Sequence, residues 1–217
     1  MRRLHALIVL GLLAAAATGR TEVRFVDSVV AEVDGAVVAA SDVALARALG
    51  LFGLTPAAGP LSPVEIERYA EGRLLVVEAT RIGVEIAETD RTAAWDEVAA
   101  RTGGETALAA WLAAADIDVG WARRMVDDDL SVRRFVDLRF RALAFVSEAE
   151  LSAALGPEAH SEAEREAART RLEEETARHR LAEWLSEARA RRAVRQLTGD
   201  REVPDPLPGP TGPGIRR

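Results

Sequence analysis

The sequence predicts a mainly α-helical fold with a small β-hairpin at its start and a long helix near its end. Three observations carry that prediction. Strand-type alternation is confined to Val29–Ala40. From Val43 onward, apolar residues recur at helical spacing. Three Ser-x-x-Glu starts, at Ser62, Ser147 and Ser161, mark helix N-termini, because each pair can satisfy free backbone donors of a first turn reciprocally.

The N-terminus is set aside from the fold. Met1-Arg2-Arg3 is a positive start, Leu4–Ala17 is apolar apart from His5, and Ala15-Ala16-Ala17 offers a small-residue cleavage site. This has the form of a secretory signal peptide over residues 1–18. The alternative is an uncleaved anchor, although the apolar run is short of the ~20 residues a span needs. The expected location is across the inner membrane, in the periplasm, with no membrane insertion after cleavage. Absence of Cys excludes disulfides, a thiolate metal site and a cysteine-linked lipid anchor.

The chain of 217 residues is 48% hydrophobic, enough for a sizeable core. Its formal charge is −7, and loss of Arg2 and Arg3 takes the mature chain two units further, to −9. That balance disfavours nucleic acid or an anionic membrane surface as a partner. All 28 basic residues are Arg, and neither Lys nor Asn occurs. This reads as the codon bias of a G+C-rich genome rather than as chemistry.

In chain order, Val29, Ala31 and Val33 alternate with Val30 and Glu32, as in a strand with one buried face. Asp34-Gly35 suits a tight hairpin turn, and Ala36–Ala40 returns. Ser41 or Asp42 can cap the helix that follows, whose stripe is Val43, Leu45, Ala46, Leu49 and Phe52. Residues 55–61 form a Pro/Gly loop. Ser62-Pro63-Val64-Glu65 opens a long helix carrying Ile66, Tyr69, Leu74, Val77 and Ile82. Further helices are predicted over 89–101, with Trp95 and Val98, and over 107–115, with Trp111. Asp118 caps a helix over about 119–143 that is apolar on more than one face, which makes it central. A short helix follows over 147–155. The last helix, from Ser161 to Leu197, would be ~55 Å long. Its first half is mostly charge and alanine, so it is expected to be exposed or to project while the second half docks. Residues 198–217 hold five of the nine prolines and read as a disordered tail.

Chemistry-bearing residues are few. Asp127-Asp128-Asp129 fan apart by about 100° each on a helix, so they read as a solvated face rather than a metal site. His5, His160 and His179 have no second His at ligand spacing. Gly103-Gly104 reads as a helix stop, and no nucleophile motif is present. The Glu/Arg-rich stretch 162–180 reads as a solvated, ion-paired helix. Aromatic residues at helical positions read first as core. The alternative is an apolar groove lined by Phe52, Trp121, Met125, Phe135 and Phe140.

The order of these pieces resembles the SurA-type periplasmic chaperones. Val29–Gly53 is similar to the family's opening hairpin and helix. Asp129–Leu155 resembles its end-of-core pattern, with Arg139-Phe140 before Val146-Ser147 and Glu150. Leu181–Leu185 with Arg189 looks like its closing helix. The resemblance implies a multi-helix core, SurA N-terminal-like and trigger-factor-C-terminal-like, over residues 26–155, closed by the helix 161–197. In that family, parvulin prolyl-isomerase domains stand between core and closing helix. Here only Gly156–His160 does, so isomerase activity is not carried over.

The function implied is ATP-independent, non-enzymatic and cofactor-free: binding of unfolded or extended envelope-protein segments. The alternative is a structural or assembly subunit of an envelope complex that keeps the fold without client binding. A peptidyl-prolyl isomerase is a third and disfavoured reading. The first and last segments of the core are expected to pack together.

Overall fold

The computed structural model describes residues 27–156, 161–192 and 194–207. The expected signal segment 1–18, His160 with most of its loop, and the end of the expected tail, 208–217, lie outside the described residues. The described chain is mainly helical, with seven α-helices and one three-stranded sheet. No helix among the described residues is long and apolar enough to cross a membrane.

Strand β1 (Val29–Val33) pairs antiparallel with β2 (Ala36–Ala39). Asp34 and Gly35 both take positive φ, 52° and 82°, as a two-residue hairpin turn requires. A register shift between Val29 and Ala31 alters the expected alternation. It turns Val29 to solvent and puts Val30 and Ala31 both inside. The other edge of β1 is taken by β3 (Val194–Gln196), giving the order β2-β1-β3. The first and last segments therefore do meet, and Arg195 pairs with Glu32 across the strands at 2.5 Å.

Helix α1 (Ala40–Leu49) begins earlier than expected, with Ala39 at the cap position. Asp42 sits in the first turn and accepts the Ala39 N–H at 2.9 Å, while Ser41 binds Asp27. Helix α2 (Pro63–Ile82) starts as predicted, with Ser62 and Glu65 exchanging hydrogen bonds. Then come α3 (Glu88–Arg101), α4 (Glu105–Ala114) and α5 (Val119–Val136), the last capped by Asp118. Helix α2 packs on α5 and on β1, and α3 packs on the far side of α5.

The central helix does not run to residue 143 as expected. At Asp137–Arg141 it opens into a π turn. The wider turn aims Phe140 inward beside Phe135, with ring centroids 5.9 Å apart, and leaves Leu138 exposed. Helix α6 (Glu148–Leu155) follows, with Ser147 and Glu150 forming the predicted box.

The last helix, α7 (Glu162–Arg191), stops short of Leu197. Arg192 is already extended, and the chain continues as β3. No Gly or Pro marks that break. Pairing with the open edge of β1 outweighs helix propensity there. The first half of α7 does not project alone. It lies on α6, where Leu151 and Ala168 are buried together outside the main core. Glu148 of α6 takes both Arg165 and Arg169 at 2.6 Å.

The C-terminal half of α7 docks through Trp184, which meets Phe135 at 5.8 Å and Phe140 at 6.2 Å. Edge-to-face aromatic pairs contribute ~0.5–1.5 kcal/mol each beyond area burial. Exposed ion pairs contribute ~0–1 kcal/mol. The three-ring cluster, not the charge network, therefore fixes the helix.

Residues 198–207 are not the disordered tail that composition predicts. Val203 exchanges backbone hydrogen bonds with Leu61, at 2.7 and 3.0 Å. Asp205 reaches Arg47, which is only 2% exposed. Arg47 donates to Asp205 at 2.6 Å, to the carbonyls of Gly59 at 2.7 Å and Pro60 at 3.1 Å, and to Glu65 at 3.3 Å. One buried guanidinium thus ties the 55–61 loop, the start of α2 and the C-terminal segment together.

Removing one partner of a buried ion pair costs about 3–5 kcal/mol, because the remaining charges stay desolvated. Arg47→Ala is expected to lose that much in urea unfolding. Asp205→Ala should lose less, and should make residues 198–207 the first site of limited proteolysis.

Candidate functional site

A cleft of about 470 Å³ opens between the hairpin and the two central helices. Val37 and Val38 of β2 form one wall, and Asp42 stands at the start of α1. Tyr69 and Arg73 rise from α2. The opposite wall is α5, with Trp121, Arg124, Met125, Asp127 and Asp128. Val37 is 62% exposed, whereas Tyr69 and Met125 are buried in the floor. Tyr69 packs edge-on against Phe52 at 5.3 Å.

The three consecutive aspartates are not a solvated face. Their angular fan sends each to a different neighbour. Asp127 faces Arg91 of α3 at 3.5 Å, and Asp128 holds Arg73 of α2 at 2.5 Å. Asp129 is buried and accepts the backbone N–H of Phe52 at 2.7 Å, with Arg133 beside it at 3.1 Å. Phe52 takes φ 53°, an uncommon conformation for a bulky residue. Such strain costs ~1–3 kcal/mol, and a hydrogen bond to a charged group returns ~1.5–3 kcal/mol. The two are comparable, so Asp129 offsets the strain of the turn after α1.

Burial governs the acids of this region. It raises the pKa of Asp42 above the ordinary value, partly offset by the Ala39 N–H. It raises Asp128 against the opposing pull of Arg73, and Asp129 against that of the Phe52 N–H and Arg133. It also raises the Tyr69 phenol. Among the described residues, no group of three or more His, Asp or Glu side chains is placed to hold a metal ion.

Of the five residues proposed from sequence to line a groove, the structure brings Trp121 and Met125 to the cleft, and Met125 only as floor. Phe52, Phe135 and Phe140 are core residues, with Phe135 fully buried. Phe52 lies beneath Tyr69 and against Gly72, where a Cβ would stand 2.5 Å from its ring. Phe135 and Phe140 belong to the Trp184 cluster. Helical periodicity locates apolar residues but does not separate groove from core. Asp42, Tyr69 and Arg73 were missed as cleft residues. The available signal was that Tyr69 is the chain's single tyrosine.

Asp129→Asn keeps an acceptor for Phe52 and removes the titration. The folded carboxyl has a raised pKa, so the folded state binds this proton more tightly than the unfolded chain does. The stability linked to it is present at low pH and lost as pH rises through the folded pKa. Relative to Asp129→Asn, the wild type is therefore expected to be more stable near about pH 4 than near neutrality. Urea unfolding of both proteins at the two pH values checks the sign.

No protein-family model and no curated protein matches the chain.

Proposed function

We propose that the chain is an exported, ATP-independent chaperone-like protein. In this reading it holds unfolded or extended segments of envelope proteins in the cleft beside β2, without prolyl isomerisation and without a cofactor. The observation that carries the reading is an outer strand edge bordering a recess lined by both apolar and charged side chains. β2 is the outer strand of its sheet. Val37 and Val38 are successive residues whose side chains leave opposite faces, so a cleft bordered by both runs along the strand's edge. Such an edge offers backbone groups to an added extended chain, and the half-buried Trp121 offers a ring to its side chains. The export component rests on the signal form of residues 1–18.

A structural or assembly subunit is the second reading. It is favoured by exposed apolar residues at the root of the α6–α7 hairpin, where Leu138, Leu143 and Phe145 are 50%, 54% and 78% exposed. A stoichiometric partner lost on Phe145→Asp, with no affinity for unfolded peptides, would favour this reading over the first.

The mature chain in molar excess is expected to slow the aggregation of a urea-unfolded outer-membrane barrel protein, followed by light scattering. Trp121→Ala should weaken binding of an extended, aromatic-rich peptide by about tenfold or more, the range of a central interface tryptophan. No slowing at excess, with no peptide affinity, would overturn the reading.

A further inference from the structure

The charges around the cleft do not cancel evenly. Asp128 is held by Arg73 at 2.5 Å, Asp127 faces Arg91 at 3.5 Å, and Arg124 lies 3.9 Å from Asp118. Asp42 makes no ion pair among the described residues, with Arg73 acting on it only at longer range. One of its carboxylate oxygens accepts the Ala39 N–H, and the other is left to the cleft. Next to it is Tyr69, 3% exposed, whose hydroxyl has no hydrogen-bond partner among the described residues. The ring is buried while the residue lines the cleft, so a group bound there can reach the hydroxyl. The apolar material nearby is Trp121 and Met125, on the facing wall of α5. A lone carboxylate, a neighbouring hydroxyl able to accept, and an aromatic ring across a recess are what a cation on an aliphatic stem requires.

We propose that this cleft seats the ammonium or guanidinium of a Lys or Arg side chain from the bound extended polypeptide. Asp42 and Tyr69 receive the charged head, and Trp121 lies along the stem. The inference rests on the polypeptide-binding reading and adds a side-chain preference to it. The local polarity favours a cation over an anion. The lining carries three acids, Asp42, Asp127 and Asp128, against two bases, Arg73 and Arg124, and both bases already pair with an acid. A cation seated there also relieves the burial that presses on the Asp42 carboxylate. The same contact would recruit clients rich in basic residues, which complements a chain whose own net charge is −7.

The probes are three fluorescein-labelled extended peptides, identical except for a central Lys, acetyl-lysine or Glu, titrated by anisotropy with the mature protein. Acetyl-lysine keeps the stem and removes the charge. The Lys peptide is expected to bind about tenfold or more tightly than the acetyl-lysine peptide, and more tightly still than the Glu peptide. Asp42→Asn retains an oxygen for the Ala39 N–H, and Tyr69→Phe removes only a hydroxyl. Each should erase most of the Lys preference, read as the ratio of Lys to acetyl-lysine peptide affinity, with thermal unfolding confirming the fold. Equal binding of Lys and acetyl-lysine peptides, or a Lys preference untouched by both variants, overturns the subsite and leaves polypeptide binding standing. Failure of all three peptides to bind overturns both.

Discussion

The sheet depends on the two edges of β1 being filled from opposite ends of the chain. A two-stranded hairpin is marginal in water, and a buried backbone edge left unpaired costs free energy comparable to lost hydrogen bonds. β2 fills one edge through a local turn. The other is filled by β3, which reaches β1 only after the whole helical body has been traversed. Val30, Ala31 and Val33 are buried in the same core as Ile66 and Ala70 of α2. The sheet therefore serves as the clasp of the helical body. The clasp continues through Arg192 to Asp34 at 2.7 Å, through Leu61 and Val203, and ends in the buried Arg47.

Helix α5 is the second organising element, and its acidic triplet explains why. Three consecutive acids on a helix cannot converge on one ligand, but they can bind three different neighbours. Asp127 reaches α3, Asp128 reaches α2, and Asp129 fixes the turn after α1. The exposed pairs among these contribute little singly. Asp129 is different because it is buried and accepts a buried backbone N–H. The same helix carries Trp121 and Met125 to the cleft and, one face round, Phe135 to the aromatic cluster with Trp184. One element thereby sets both the cleft wall and the position of the last helix.

Local chemistry made much of this legible from sequence. The capping boxes at Ser62, Ser147 and Ser161 and the Asp34-Gly35 turn are each decided within four residues, and all appear where the pattern puts them. The failures share a cause. The helix predicted to run to Leu197 ends at Arg191 because a strand edge far away in sequence competes for residues 194–196. The composition of residues 198–207 signals disorder, but Asp205 is captured by a charge buried on α1. Phe52, Phe135 and Phe140 were credible groove residues until the partners covering them were known. Arg47 interrupts an apolar stretch, Val43–Leu49, and that interruption was the one available sign of a buried charge. Local rules find elements, while non-local partners decide boundaries and exposure.

The cleft inherits its rigidity from these same contacts. One wall is β2, held by β1, which β3 holds from the other side. The other wall is α5, pinned by its three aspartates. With both walls held this way, an extended chain bound as proposed would spend little free energy on ordering the site. The ion pairs at the rim are already made and give nothing more to a newcomer. Among the described residues, the cleft leaves open one Asp42 oxygen, the Tyr69 hydroxyl and the backbone edge of β2. In the proposed reading, such a site would tolerate many sequences through backbone pairing and discriminate at the position where a side chain meets Asp42. The proposed combination of broad affinity and one charged checkpoint rests on which groups the fold leaves open at the cleft.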